Sequence, residues 1–142
     1  MIIQNIAAVG DLKTYINERT ANSSAFTPLH LASYNGNPMI IKLLVDHGAD
    51  INAKNPAGLS MIHVAAQGNK PYSLAYFREK GLSIEEKDNA SSTPFHWALV
   101  KNSNESIRFL LAWGVDVNSF DQVGMSPLHL AVIMANKIGN TS

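Results

Sequence analysis

The chain has 142 residues, enough for one domain, with 11 Lys+Arg against 11 Asp+Glu and a formal charge of zero. That balance argues against a basic footprint for nucleic acid or for an anionic membrane. There is no cysteine, so disulfides, thiolate chemistry and cysteine-ligated zinc are excluded.

From the N-terminus, Met1 to Gly10 lacks a basic segment and a long apolar core, and is a poor signal peptide. No window approaches the roughly 18 uninterrupted apolar residues of a membrane span. Asn-x-Ser sequons at Asn22, Asn89, Asn104 and Asn140 are what chance gives in a chain rich in Asn and Ser. Residues 1–26 read as a clipped first repeat, with Gly10 to Ile16 resembling the start of a second helix.

From Thr27 a period takes over. Thr27-Pro28-Leu29-His30-Leu31-Ala32 returns as Ser60-Met61-Ile62-His63-Val64-Ala65. It returns again as Thr93-Pro94-Phe95-His96-Trp97-Ala98 and as Ser126-Pro127-Leu128-His129-Leu130-Ala131, each 33 residues after the last. A fixed period of this size signals a repeat architecture. The hydroxyl residue is a helix N-cap. Proline follows it in three copies, where its fixed φ suits the first helical position. Met61 replaces it in one copy, with a small local loss expected. Apolar residues then come as large, large, small, which lets one helix lie close against the next.

In the unit from Thr27 to Leu59 a first helix is expected to end near Asn35-Gly36. A second runs from Pro38 to Asp46 or His47, with Met39, Ile40, Leu43 and Leu44 as its buried stripe. Gly48 ends it, and the same glycine returns at Gly81 and Gly114. Short extended pieces follow: Asp50-Ile51-Asn52, Ser83-Ile84-Glu85 and Asp116-Val117-Asn118. Turn residues come next, at Asn55 to Gly58, Asp88 to Ser91 and Asp121 to Gly124, and these turns join one repeat to the next as finger loops. Ser91 stands where the other two have glycine, and a less regular finger is expected there.

The unit from Ser60 carries Leu74, Tyr76 and Phe77 on its second helix, and the unit from Thr93 carries Ile107, Phe109, Leu110 and Leu111. The last unit begins at Ser126. Its first helix is expected from Pro127 to about Ala135, and no second helix follows. Its open side points to a fragment of a longer protein or to an end that rests on a partner.

The hexapeptide at this period resembles the ankyrin repeat, whose signature is T-P-L-H-x-A. The resemblance implies an all-α solenoid of helix-turn-helix repeats joined by β-hairpin fingers. Full repeats would lie at 27–59, 60–92 and 93–125, a degenerate one at 1–26 and a partial one at 126–142. It also implies that His30, His63, His96 and His129 hydrogen-bond backbone of the neighbouring repeat. Read as a metal ladder instead, adjacent histidines would stand on the order of 8–10 Å apart, a helix-packing distance. That is too far to share one zinc at about 2 Å per ligand. No nucleophile–base pair, carboxylate pair or phosphate-cradling loop stands out, so no catalytic residue, metal or cofactor is expected.

Ankyrin repeats usually meet partners with their finger tips and the exposed end of the first helix. Carried onto this sequence, those positions are Tyr34, Asn35, Lys54, Pro56, Ala57, Leu59, Gln67, Lys87, Asn89, Val100, Lys101, Phe120, Gln122, Val123 and Met125. Ile133 and Met134 add the first helix of the last repeat. Leu59, Phe120, Val123 and Met125 stand out, because finger loops need no large apolar groups. Phe120 has the alternative of folding back onto its own finger. Trp97 reads as core, while Tyr76 and Trp113 read as partly exposed on the outer side.

Residues 60–142 also resemble the ankyrin portion of DHHC-type palmitoyltransferases. The matching stretches are His63 to Gly68, Ser73 to Phe77, Ser92 to Ala98, Leu110 to Gly114 and Leu128 to Val132. In that family the ankyrin array recruits protein substrates, and a cysteine-rich membrane domain transfers the acyl group. Trp97 matches a tryptophan that receives substrate peptides there, and Gly68 stands near the place of a polar residue that shares the role. Three functions are therefore expected in the alternative. One is a non-catalytic protein-binding module. The second is a substrate-recruiting fragment of a membrane S-acyltransferase. The third is a structural subunit docked through its C-terminal end. A cytoplasmic setting, or the cytoplasmic face of a membrane, fits all three.

Overall fold

The computed structural model describes the backbone of residues 15–141 and the side chains of residues 15–136. Of the helical segment expected at Gly10 to Ile16, residues 10–14 lie outside the described residues, and Tyr15 and Ile16 are helical. Seven helices follow: α1 (Pro28–Asn35), α2 (Pro38–Asp46), α3 (Met61–Gln67), α4 (Pro71–Glu79), α5 (Pro94–Val100), α6 (Asn104–Ala112) and α7 (Pro127–Thr141). Among the described residues there is no β-strand.

Most helices start for a local reason; α6 is capped from the preceding repeat, where Asn69 Oδ1 accepts the N–H of Glu105 and Ser106 at 2.7 and 3.0 Å. Thr27, Thr93 and Ser126 accept the amide N–H of the histidine three residues on at 3.3 Å. Ser60 does not cap in that way, and its hydroxyl meets His63 Nδ1 instead, at 3.0 Å. Met61, in place of the proline there, has its side chain fully buried in the core. Prolines open α1, α2, α4, α5 and α7.

The helix stops are equally legible. The second helices end in a Schellman motif. In α2 the N–H of Gly48 bonds the Val45 carbonyl at 3.1 Å and that of Ala49 bonds Leu44 at 2.9 Å. Gly81-Leu82 and Gly114-Val115 repeat both bonds. These three glycines have φ of 99°, 100° and 78°, which a side chain would oppose. The first helices also stop at a left-handed residue, Gly36 (φ 76°), Asn69 (57°) or Asn102 (55°), and the ends of α3 and α5 make the same pair of bonds.

The residue in phase with these stops in α7 is Ala135, which disfavours the left-handed region and favours helix. The helix therefore runs on to Thr141, rather than ending near Ala135 as expected.

The inner helices α1, α3, α5 and α7 form one row, and α2, α4 and α6 form the outer row. Neighbours in the inner row pack more closely than those in the outer row, so the stack curves around its inner side. The small residue of each hexapeptide permits that approach, with Ala65 and Ala98 fully buried and Ala32 nearly so.

Two core clusters fill the space between the rows. One gathers Leu29, Ile41, Leu44, Met61 and Phe77, and the next gathers Ile62, Leu74, Phe95, Ala98 and Leu110. The expected stripe on α2 is corrected here. Ile41 and Leu44 are buried, whereas Met39, Ile40 and Leu43 are exposed, Met39 at 77%.

The pieces after each glycine are turns rather than extended backbone. Asp50 Oδ1 accepts the Asn52 N–H at 2.9 Å, Ser83 Oγ the Glu85 N–H at 3.0 Å, and Asp116 Oδ1 the Asn118 N–H at 2.8 Å. A polar side chain that bonds two residues on favours the turn over the strand. The fingers are single closed turns. Asn55, Asp88 and Asp121 accept from the fourth residue of their turn at 2.9, 3.0 and 3.1 Å.

The finger with Ser91 is as regular as its neighbours, contrary to expectation. Ser91 takes φ 59° where Gly58 and Gly124 take 83°. A left-handed non-glycine residue costs about 1–2 kcal/mol. Ser91→Gly is therefore expected to stabilise the chain by about 1 kcal/mol, read as a raised urea midpoint. An unchanged or lowered midpoint would contradict the strain.

Candidate functional site

The fingers are held to the inner helices by three equivalent histidines. Nε2 of His30, His63 and His96 lies 3.1 Å from the carbonyls of Leu59, Ser92 and Met125, each 29 residues on. Nδ1 accepts the N–H of Thr27, Ser60 and Thr93 at 3.2, 3.2 and 3.1 Å. A ring that accepts at Nδ1 is neutral and carries its proton on Nε2, which donates to the carbonyl.

Burial lowers the pKa of His30 and of His63, against the carbonyl bonds that raise it. For His30 the nearby Arg19 lowers it further. The unfolded chain then takes up these protons first. Stability from these rings is complete above about pH 6.5, the unfolded value, and is lost as pH falls through the folded values. The melting temperature is expected to drop between pH 7.5 and pH 5, and His63→Gln should flatten that slope. An equal slope in the variant would contradict this reading.

A second set of bonds ties finger to finger. The Asn89 N–H reaches the Ala57 carbonyl at 3.0 Å, and the Gln122 N–H reaches Ala90 at 2.8 Å. Asn89 Nδ2 adds a bond to the Pro56 carbonyl at 2.8 Å, and Lys54 pairs with Glu86 at 3.0 Å. At Gly58 a Cβ would meet the Asn89 backbone nitrogen at 2.8 Å, whereas the finger with Ser91 in the same phase keeps its bond to Gln122.

The fingers also reach the helices through Asp88, which is buried. Its Oδ1 accepts the N–H of Ala90 and Ser92, both at 2.9 Å, and its Oδ2 accepts the Trp97 indole N–H at 2.8 Å. Trp97 is consequently half-buried rather than core. The aspartate was readable as a turn residue, but its bond to Trp97 had no sequence signal. On the outer side Tyr76 and Trp113 are half-buried, with Lys80 over the Tyr76 ring and Arg78 over Trp113 at 4.6 Å.

Most of the positions expected to meet a partner lie on the surface. Lys54, Pro56, Ala57, Lys87, Asn89, Gln122 and Val123 are exposed on the fingers, and Tyr34, Asn35, Val100 and Lys101 on the inner helix ends. Gln67 and Met125 are half-buried. Leu59 is a correction: its side chain is buried, and it is its carbonyl that serves, for His30. It precedes the N-cap Ser60, a position that often packs against the first helical turn.

Phe120 does not fold away. It is 56% exposed, and its ring centroid lies 6.2 Å from that of His129. It borders an open apolar groove of about 570 Å³ with Leu128, Val132 and Ile133. Met134 is half-buried. Leu31, at 45% exposure, joins Tyr34 on the inner side and was missed, because the hexapeptide pattern marks it as core.

Among the described residues no group of three or more His, Cys, Asp or Glu gathers as a metal site. Among them, too, no helix is long and apolar enough to cross a membrane.

Two family models match the chain. One described as "Ankyrin repeat" covers residues 26–56, and one described as "Ankyrin repeats (3 copies)" covers residues 62–140. The chain is also similar to delta-latroinsectotoxin-Lt1a of Latrodectus tredecimguttatus, 52% identical over 33 residues. That match spans 23% of this chain and 3% of the toxin. Ankyrin repeats are in general non-catalytic modules of protein–protein interaction. With phased hexapeptides, paired helices and fingers locked by histidine, and with models that match most of its length, the chain belongs to the ankyrin repeat family.

Proposed function

We propose that the chain holds a partner protein, without catalysis, on the face formed by its finger tips and the ends of its inner helices. The observation that carries this reading is a contrast within one surface. The finger backbone is tied by its own hydrogen bonds and to its neighbours, so the face is preformed. Yet large apolar groups stand exposed along it: Tyr34 at 50%, Val100 at 40%, Phe120 at 56% and Val123 at 82%. Exposed apolar groups on a rigid, polar-rimmed surface suit a protein partner and lower the ordering cost of binding. Lys87 and Lys101 have no ion pair among the described residues and can meet a partner's carboxylates. A cytoplasmic partner is the one envisaged.

Tyr34→Ala and Phe120→Ala, at the two ends of the face, test it. Each is expected to change stability by no more than about 0.5 kcal/mol, as surface substitutions do. Each should weaken retention of a captured partner several-fold. Equal loss of stability and binding would refute the assignment.

The S-acyltransferase reading rests on Trp97 as a peptide receiver. Its indole N–H is occupied by Asp88, so a peptide would meet only the ring face. No separate observation favours that reading over the general one.

A further inference from the structure

The exposed groups of the proposed face are not spread evenly along it. Leu31 and Tyr34, 45% and 50% exposed, stand on α1. Two repeats on, Val100 at 40% stands on α5 in phase with Tyr34, and Val123 at 82% stands on the finger that follows. The repeat between them presents little that is apolar. Val64, in phase with Leu31, is buried, and Gln67, in phase with Tyr34 and Val100, is half-buried. Its finger offers Lys87, Asn89 and Ala90. Along its length the face is therefore apolar, then polar, then apolar.

The exposure at both patches belongs to the phase. Tyr34 and Val100 are exposed although α3 and α7 pack beside their helices. Ala57 and Ala90, in phase with Val123, are exposed with a further finger beside each.

The spacing limits what can meet both patches. Neighbouring inner helices pack at about 8–10 Å, which puts α1 and α5 about 16–20 Å apart. An extended chain rises about 3.3 Å per residue and turns alternate side chains to one face. Offsets of four and six residues on that face span roughly 13 and 20 Å, and bracket the distance.

The groups between the patches favour an extended chain over a helix. Asn35, Asn89 and Gln122 are exposed, and their amides suit backbone groups that lack partners. An extended segment brings such groups, whereas a helix has bonded its own. Charge adds a further requirement. Lys87 lies in the middle repeat and Lys101 beside Val100, and neither has an ion pair among the described residues. Glu86, next to Lys87, is held by Lys54 at 3.0 Å.

We propose that the face takes its partner as an extended segment. Two apolar side chains, four or six residues apart, sit on Tyr34 and Val100, and an Asp or Glu between them pairs with Lys87. This rests on the binding reading above and specifies the kind of segment that the face selects.

The probe is a display library of random linear peptides of about 12 residues, long enough to span both patches. It is panned on the full chain and depleted on the Tyr34→Ala/Val100→Ala double variant. Enriched sequences are expected to share two apolar residues at an offset of four or six with an acid between them. A synthetic peptide of that pattern should lose about tenfold in affinity at Tyr34→Ala and at Val100→Ala. Panning on Lys87→Glu should return Lys or Arg in place of the acid. Far-UV circular dichroism checks that the variants are folded, and Lys87→Glu, on an exposed finger, decides alone if an alanine variant is not.

No enriched pattern, or a pattern without the two apolar residues, would overturn the proposal. So would binding that neither alanine variant weakens, or a charge preference that Lys87→Glu leaves unchanged. A partner that crosslinks to Lys87 and Lys101 as a folded domain, while its isolated segments do not bind, would overturn the extended segment and leave the face standing. A partner that crosslinks elsewhere would overturn both.

Discussion

Phe77→Ala is expected to lower the unfolding free energy by about 3–5 kcal/mol, the cost of deleting a buried aromatic ring. Phe77 is fully buried and sits in the cluster with Leu29, Ile41, Leu44 and Met61. Leu110→Ala, one repeat on in the second cluster, is expected to cost about 2–5 kcal/mol. In a stack where each repeat touches only its neighbours, stability is close to a nearest-neighbour sum. The Phe77 change should therefore raise hydrogen exchange first in α2 and α4, and the Leu110 change first in α6. Met39→Ala is the control. That side chain is 77% exposed, and the change should stay within about 0.5 kcal/mol. A large loss at Met39 and a small one at Phe77, measured by urea unfolding, would reverse the inside and outside of the second helices.

Gly68→Ala is the second large effect. Gly68 has an ordinary helical backbone at φ −74°, so strain at φ is not the issue. The issue is space. A Cβ there would stand 2.2 Å from the Tyr34 carbonyl oxygen and 3.0 Å from its carbon. Both are backbone atoms, and neither can rotate away. The ends of α1 and α3 would have to part, and the face around Tyr34 and Gln67 would shift with them. Overpacking of this kind costs about 1–3 kcal/mol and occasionally more. The urea midpoint should fall, and a partner held at Tyr34 should be lost with it. A Gly68→Ala variant of full stability would mean that the two helix ends are not in contact.

The 33-residue period made most of the fold legible. It placed the N-caps and the prolines that open helices, and it placed the glycines that close the second helices. Those signals act within four or five residues, which is why they can be read locally. The buried face of α2 could not be read so. Its sequence is apolar at Met39, Ile40, Ile41, Leu43, Leu44 and Val45, so helical spacing alone fits two faces. Comparing repeats by phase resolves it: Ile41, Leu74 and Ile107 align, as do Leu44, Phe77 and Leu110. The same comparison explains α7, where Ala135 stands in the place of Gly36, Asn69 and Asn102.

The face itself was legible by position but not by chemistry. The finger tips follow from the period. That Leu59 turns inward, that Leu31 stays out and that Asp88 holds Trp97 depend on contacts between segments far apart in sequence. Ser91 shows the opposite case. Its neighbours impose the turn on it, and the local preference yields.

The measurement that tests the proposed face most directly is lysine crosslinking of the 142-residue chain to a captured partner, with the linked residues mapped by mass spectrometry. The lysines report on opposite sides. Lys54, Lys87 and Lys101 lie on the finger and inner-helix face, and Lys42 and Lys80 lie on or beside the outer helices. The predicted result is a set of links from Lys54, Lys87 and Lys101 to one partner. Links only from Lys42 and Lys80 would place recognition on the outer helices and contradict the proposed face.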